Sequence, residues 1–285
     1  MLTLRPITTF ALIALAALPL VGARCASVAR PYAAPTAQEV ETALRKRAIA
    51  VFALRAEARM SYRTNQGKVK ATVRMMAARG GKLRFDIVSP FDTPLATLVT
   101  AEGKFALVDA QKNRHFYGPA TPCNIGRLLR VQLRPQDILT ILGGGTPLVD
   151  ATSRSLRWDD RSGVEVLTLI GPKGLKQTLR LDGRNRRWRL LSSELRDKKG
   201  KLLLALTAND YKKQSALDIP GHLVVRQPAR NAVLELDFKR LKINISLPEA
   251  AFIRPASEGL PSQRVDCAPT LVVDDKTTDT PKTDT

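Results

Sequence analysis

Histidine is nearly missing from this sequence. The two that occur, His115 and His222, are far apart in a chain of 285 residues, with no neighbours at ligand spacing. A histidine metal centre or a Ser-His-Asp triad has nothing to be built from. Cysteine is scarce too, and Cys25, Cys123 and Cys267 do not form a CxxC pair. Asp159-Asp160 and Asp274-Asp275 fall in turn or tail contexts, and adjacent residues on a strand face opposite ways, so neither pair makes an acid/base dyad. A Gly-x-Ser-x-Gly elbow and a dinucleotide fingerprint are both lacking. Gly143-Gly144-Gly145 has no lysine-serine/threonine pair or helix after it, so it reads as a helix stop, not a phosphate cradle. The expectation is a protein that is not an enzyme and needs no cofactor or metal. Aromatics make up only 5% of the chain, so its core is one of Leu, Val, Ile and Ala.

Long apolar runs are also missing, with one exception. Residues 10–23 are uncharged and largely apolar, and Arg5 precedes them. Such a run is too short to span a bilayer comfortably and suits the h-region of a signal peptide. Cys25 follows in the order Val21-Gly22-Ala23-Arg24-Cys25. This resembles a bacterial lipoprotein signal, whose cysteine becomes the lipidated first residue and carries palmitate-type acyl chains. Arg24 departs from that pattern, which places a small residue before the cysteine, and Val21-Gly22-Ala23 also suits an ordinary signal peptidase. On the lipoprotein reading, residues 1–24 are a signal peptide, Cys25 is the lipidation site and residues 25–35 are a tether. Cys123 and Cys267 are then an even pair that an oxidising periplasm favours as a disulfide, two separate buried thiols being the alternative.

Acidic residues are too few to balance the bases. Asp and Glu total 26 against 46 Lys and Arg, a formal net charge of +20. That suits nucleic acid, anionic head groups or lipopolysaccharide phosphates. The bases are dispersed along polar strand faces and accompany no nucleic-acid motif. The expected partner is therefore an anionic membrane surface and not nucleic acid, with a merely solvated basic face as the alternative.

The patterns that are present are mostly those of strands. Thr36 and Glu39 form a capping box ahead of Val40, Ala43, Leu44, Ala48 and Val51 at helical spacing. Strands follow over residues 53–62 and 68–78. In residues 82–100, Leu83, Phe85 and Ile87 alternate with Lys82, Arg84 and Asp86, the pattern of a strand buried on one face. It stops at Ser89-Pro90, and the chain returns from Leu95. Phe91 stands between Pro90 and Pro94, where charged or small residues are usual. Phe91 either folds back onto the core or is displayed to a membrane. Two short strands come next, then two short helices, the first capped by Thr121-Pro122 and the second opening near Pro135. Strands resume to about residue 245. Inward positions are even at Leu234, Leu236 and Phe238 and odd at Leu241, Ile243 and Ile245, a phase shift that predicts a bulge or tight turn near Lys239-Arg240. Residues 36–267 form one domain on this reading, and residues 268–285 a disordered polar tail.

The order of motifs between residues 82 and 147 resembles the outer-membrane lipoprotein receptor LolB and the related LolA-like carriers. It runs Ser89-Pro90-Phe91, Glu102-Gly103-Lys104-Phe105, Arg114-His115-Phe116-Tyr117, Ile125-Gly126-Arg127-Leu128-Leu129, Leu133-Arg134-Pro135-Gln136-Asp137-Ile138 and Leu142-Gly143-Gly144-Gly145. The later Ile219-Pro220-Gly221-His222-Leu223 and Leu241-Lys242-Ile243-Asn244-Ile245 suit that family's last strands. The resemblance implies a mainly β fold, an incomplete antiparallel β-barrel closed by an N-terminal helix and two short helices around an apolar cavity. It implies acyl chains of lipids or lipoproteins as cargo, a periplasmic lipoprotein carrier as partner, and the periplasmic face of the outer membrane as location. By position Phe91 is the membrane-contact residue, where a leucine is usual. Candidate cavity walls are Phe85, Ile87, Leu98, Phe105, Leu107, Leu128, Leu129, Ile138 and Leu142. A structural or assembly lipoprotein, using the same fold as a filled interaction scaffold, is the alternative.

Overall fold

The computed structural model describes residues 27–64, 67–255, 257 and 259–267. Cys25, residues 1–24, expected as a signal peptide, and residues 268–285, expected as a disordered tail, lie outside them. The first helix, α1 (Ala37–Ala50), begins as its capping box requires. The Thr36 hydroxyl accepts from the Glu39 amide, and the Glu39 carboxylate accepts from the Thr36 amide. Six antiparallel strands follow in simple succession: β1 (Ala53–Thr64), β2 (Gly67–Ala78), β3 (Lys82–Val88), β4 (Pro94–Ala101), β5 (Lys104–Asp109) and β6 (Arg114–Pro119). Two short helices, α2 (Pro122–Leu129) and α3 (Pro135–Leu142), interrupt them. The Thr121 hydroxyl caps α2 and Pro122 opens it.

After the helices come β7 (Ser153–Asp159), β8 (Val164–Ile170), β9 (Lys176–Asp182), β10 (Arg189–Arg196) and β11 (Leu202–Asn209). A small hairpin, β12 (Lys212–Gln214) with β13 (Leu217–Ile219), stands apart as a two-stranded sheet. Then come β14 (His222–Gln227), β15 (Ala232–Ile243) and β16 (Ser262–Arg264). Fourteen of these strands form one sheet, in the order β16-β6-β5-β4-β3-β2-β1-β15-β14-β11-β10-β9-β8-β7. Among the described residues every pairing in it is antiparallel except β16 with β6. The sheet is open, with β7 and β16 at its edges, so the expected incomplete barrel is what forms. The predicted phase shift is a bulge: Glu57 pairs with Arg240 and Ala58 with Phe238, leaving Lys239 as the extra residue.

The helices divide the interior into two cores. The first joins β1–β5, β11, β14 and β15 to α2 and α3 through residues such as Leu54, Met60, Phe85, Phe105, Ile125 and Leu142. The second packs Val40 and Leu44 of α1 on Leu167, Leu169, Leu179, Leu181 and Trp188. Full burial of each such side chain contributes about 1.5–3 kcal/mol.

Both chain ends of the described region are strapped down. Residues expected as a tether are docked: the Val28 amide donates to the Asp160 carbonyl (2.7 Å), and Tyr32 stands edge-on between Trp158 and Trp188. Arg30 Nε lies 2.8 Å from the fully buried Glu165. At the other end, Glu249 pairs with Lys82 and the Ala251 carbonyl accepts from Arg84 on the outer face of β3, and β16 adds itself to the edge of the sheet beside β6. Phe252 is buried, Val265 joins the first core, and Cys123 and Cys267, 144 residues apart, are joined in a disulfide with a Cα–Cα distance of 5.8 Å. The Val265 amide donates to the Tyr117 carbonyl (2.8 Å), and the Asn124 side chain donates to the Val265 carbonyl (3.1 Å). That carbonyl occupies the space a Cβ would need at Gly118, whose φ is +158°.

A seam cleft and an exposed loop

The nine residues expected to line an acyl-chain cavity all lie on the inner face, and the structure packs them as core. Leu98, Phe105, Leu107 and Leu128 are buried, and Ile87 packs against the same cluster. Phe85, Leu129, Ile138 and Leu142 surround a void of only about 20 Å³. That is close to the room a single water needs and far too little for an acyl chain. Met60, Leu133 and Ile141 take up the remaining space.

Room exists at the seam between the two cores. A cleft of about 350 Å³ runs between the α2–α3 linker, the segment after α3, and strands β9, β10, β11 and β14. Its volume is at the lower end of ordinary ligand sites. Leu133 comes to it from the first core and Val149 from the second. Leu148, Leu175, Leu195, Leu203 and Leu204 complete the apolar wall. None of the nine expected wall residues is in its lining.

Part of the floor is polar. Gln177, Ser193 and Thr146 are buried. Gln177 Nε2 donates to Ser193 Oγ (3.0 Å) and to the Pro147 carbonyl (2.8 Å), and its Oε1 accepts from the Val149 amide (3.0 Å). These groups satisfy one another, which is what permits their burial. At the rim, Gln132 and Gln227 form a reciprocal clasp. The Gln132 amide donates to Gln227 Oε1 (2.7 Å), and Gln227 Nε2 donates to the Gln132 carbonyl (2.8 Å). Arg134 and Asp137 form an ion pair beside it (2.7 Å).

Phe91 is 90% exposed. It does not fold back onto the core, because its loop is held from both sides. Ser89 Oγ accepts from the amides of Phe91 and Thr93, both at 3.2 Å. Asp92 takes a left-handed φ of 64° and pairs with Arg74 of β2. That hydrogen bond raises the Arg74 guanidinium further above its ordinary value.

Strand register places the loop and the cleft at one end of the sheet. Val88 pairs with Thr72, so the first residues of β2 run past the end of β3 beside Phe91. Arg63 pairs with Val233, and Val233 with Arg226, so the β14–β15 turn flanks the β1–β2 tip. Gln227, Ala229 and Arg230 of that turn line the cleft. The β10–β11 turn lies at the same end, beyond the Leu195–Leu204 pair. Val28 is at the opposite end, beside the β7–β8 turn.

The two histidines stay apart. His115 lies on β6 under the C-terminal strap, and His222 pairs with Asp237 of β15 (2.5 Å). Among the described residues no three His, Cys, Asp or Glu side chains gather as a metal site. Asp159 ends β7, where hydrogen bonds from Ser162 and Arg180 hold its carboxyl down to about 2. The cleft, the straps and the docking of Tyr32 escape a sequence reading, since none follows a period.

No protein-family profile and no curated protein matches the sequence. Solved structures do resemble the fold. A domain described as outer membrane lipoprotein-sorting, from Vibrio parahaemolyticus, superposes with a TM-score of 0.53 at 18% identity, over 75% of this chain and 95% of that one. A DUF1329 family protein from Desulfovibrio piger gives 0.52 at 16%, over 77% and 98%. A LolA superfamily protein from Nitrosomonas europaea gives 0.50 at 12%, over 78% and 99%. At these identities the likeness is one of architecture: the chain has an open, helix-lined antiparallel sheet like that of the LolA superfamily structure.

Proposed function

We propose that this protein binds an acyl chain of a lipid or lipoprotein in the seam cleft, without chemistry, and serves lipoprotein localisation at the outer membrane. The observation that carries the proposal is the cleft itself, a largely apolar-walled volume of about 350 Å³ beside a core whose void around Phe85 is only about 20 Å³. Acyl chains need only such walls, at about 25 cal/mol per Å² of buried apolar surface. The LolB-like part of the reading rests on Phe91, a fully presented aromatic on a proline-flanked loop, as the residue that touches the membrane. Cys25 is its anchor, and residues 36–267 act as the carrier domain. A fluorescent fatty acid should bind the purified protein and be displaced by lipoprotein-derived acyl chains. Failure to bind it would leave the scaffold reading, which the filled core around Phe85 favours. Native mass spectrometry of freshly purified protein checks the same point by seeking co-purified lipid.

A further inference from the structure

The folded region hands its last residue to one corner of the seam cleft. Cys267 is bonded to Cys123, and Pro122, the residue before Cys123, lines the cleft. With 5.8 Å between the disulfide Cα atoms and about 3.8 Å between consecutive ones, residues 268–285 depart within about 10 Å of Pro122. They open Ala268-Pro269-Thr270-Leu271-Val272-Val273-Asp274-Asp275. Leu271 to Val273 is the apolar stretch of a segment otherwise polar. Four aspartates against two lysines give residues 268–285 a formal charge of −2, in a chain that carries +20.

The cleft complements that order of residues. Its wall is apolar at Leu195, Leu203 and Leu204. Its rim is basic: Arg230 lines it, and Lys198 packs beside Gly174, next to Leu175 of the wall. Both cations are exposed. The acid in the lining, Asp137, is already engaged by Arg134. Reach is sufficient. Four links carry the chain from Cys267 to Leu271, up to about 14 Å, and seven carry it to Asp274, up to about 25 Å. A tether this short holds its segment at roughly millimolar effective concentration, so a contact too weak to retain a free peptide still closes in cis.

We infer that Leu271, Val272 and Val273 seat in the seam cleft as an intramolecular plug, with Asp274 and Asp275 against the Arg230 and Lys198 rim. An acyl chain entering the cleft has to displace them. The inference rests on the acyl-chain reading only for what is displaced; the docking of the tail stands apart from it.

The test uses the full chain carrying Cys25→Ser and Thr277→Cys, which leaves one free thiol beside the Cys123–Cys267 bond for a nitroxide label. In methyl NMR spectra the label should broaden Leu195, Leu203 and Leu204. Adding Leu271→Asp, Val272→Asp and Val273→Asp should remove that broadening, and Asp274→Lys with Asp275→Lys should weaken it. The triple aspartate variant, without the label, should bind a fluorescent fatty acid about tenfold more tightly than the parent, the gain expected if the plug is seated in roughly nine molecules of ten. Cleft methyls that do not broaden, or that broaden equally in the triple variant, would overturn the inference. So would broadening passed from labelled to unlabelled copies in a mixture, which makes the occupant a second molecule, or a fatty-acid affinity that the triple variant leaves unchanged. Absence of fatty-acid binding in parent and variant alike refutes the acyl-chain reading alone, and the label then decides the plug.

Discussion

Arg74 Nη2 and Asp92 Oδ1 lie 2.7 Å apart, and this ion pair fastens the Phe91 loop to the neighbouring strand. Both partners are well exposed, so the pair serves loop order more than global stability. Arg74→Ala should leave the thermal midpoint unchanged while speeding amide exchange at residues 91–93. Exchange mass spectrometry on the loop peptide checks this; an unchanged loop would mean that Ser89 and the prolines alone hold it.

Phe91 and Phe85 are the same residue type in opposite settings, 90% and 2% exposed. Phe91→Glu should change stability by less than about 0.5 kcal/mol, as for other surface positions. Phe85→Ala should cost about 3–5 kcal/mol, because it leaves a hole in a close-packed core. Urea unfolding of the two variants gives both numbers. A large loss for Phe91→Glu would show that the loop supports the core.

Leu204 faces the seam cleft and packs on the edge of the first core. Leu204→Trp should fill the cleft and abolish fatty-acid binding, at a cost of about 1–3 kcal/mol from crowding. The converse control is Leu129→Ala. It enlarges the small void around Phe85 at about 2–5 kcal/mol and should leave fatty-acid affinity unchanged. Fluorescence titration distinguishes the two.

His115 gives the C-terminal strap a pH dependence. Its Nδ1 meets Ser262 Oγ at 3.0 Å, while its buried Nε2 has no hydrogen-bond partner among the described residues. Burial, and then the charge of Arg254, lower its pKa below the ordinary histidine value. The unfolded chain therefore takes up this proton more readily than the folded one, and stability is lost as pH falls below about 6.5 toward the folded value. Protection of the amides at residues 262–265, corrected for the slower intrinsic exchange in acid, should fall between neutral and mildly acidic pH, and His115→Gln should flatten that response.

The Cys123–Cys267 bond anchors the same strap to the start of α2. Cys123→Ser with Cys267→Ser should cost about 2–5 kcal/mol. The loss should be concentrated at β16 and its junction with β6 and α2, where Val265 enters the first core. Thermal unfolding and limited proteolysis, with and without reductant, measure the total and its location.

Much of the sheet was legible because period-two alternation leaves little choice of face. Lys82 to Val88 shows it, and so does the phase change that places Lys239 in a bulge. Thr36 with Glu39 and Thr121 with Pro122 marked helix starts by capping chemistry alone. Phe105 and Leu142 looked like cavity wall because wall and core are built from the same residues, and only the neighbours' volumes decide between them. The seam cleft is lined from segments as distant as Leu133, Gln177 and Gln227, which no local pattern connects. Tyr32 and Phe252 anchor straps whose geometry comes entirely from what they land on.

The docking of Val28 beside Asp160 has a consequence for reach. Three peptide links separate it from Cys25, a span of at most about 11 Å. Strand β7, at whose far end Val28 sits, runs about 24 Å toward the Phe91 end. A lipid on Cys25 and an inserted Phe91 therefore do not meet one bilayer plane while the strap stays in place. On the proposed lipidation of Cys25, the closed strap holds the anchor and the Phe91 loop at opposite ends of the sheet, facing different surfaces. With Arg30 and Tyr32 released, the leash lengthens by several residues and both ends come within reach of the same leaflet.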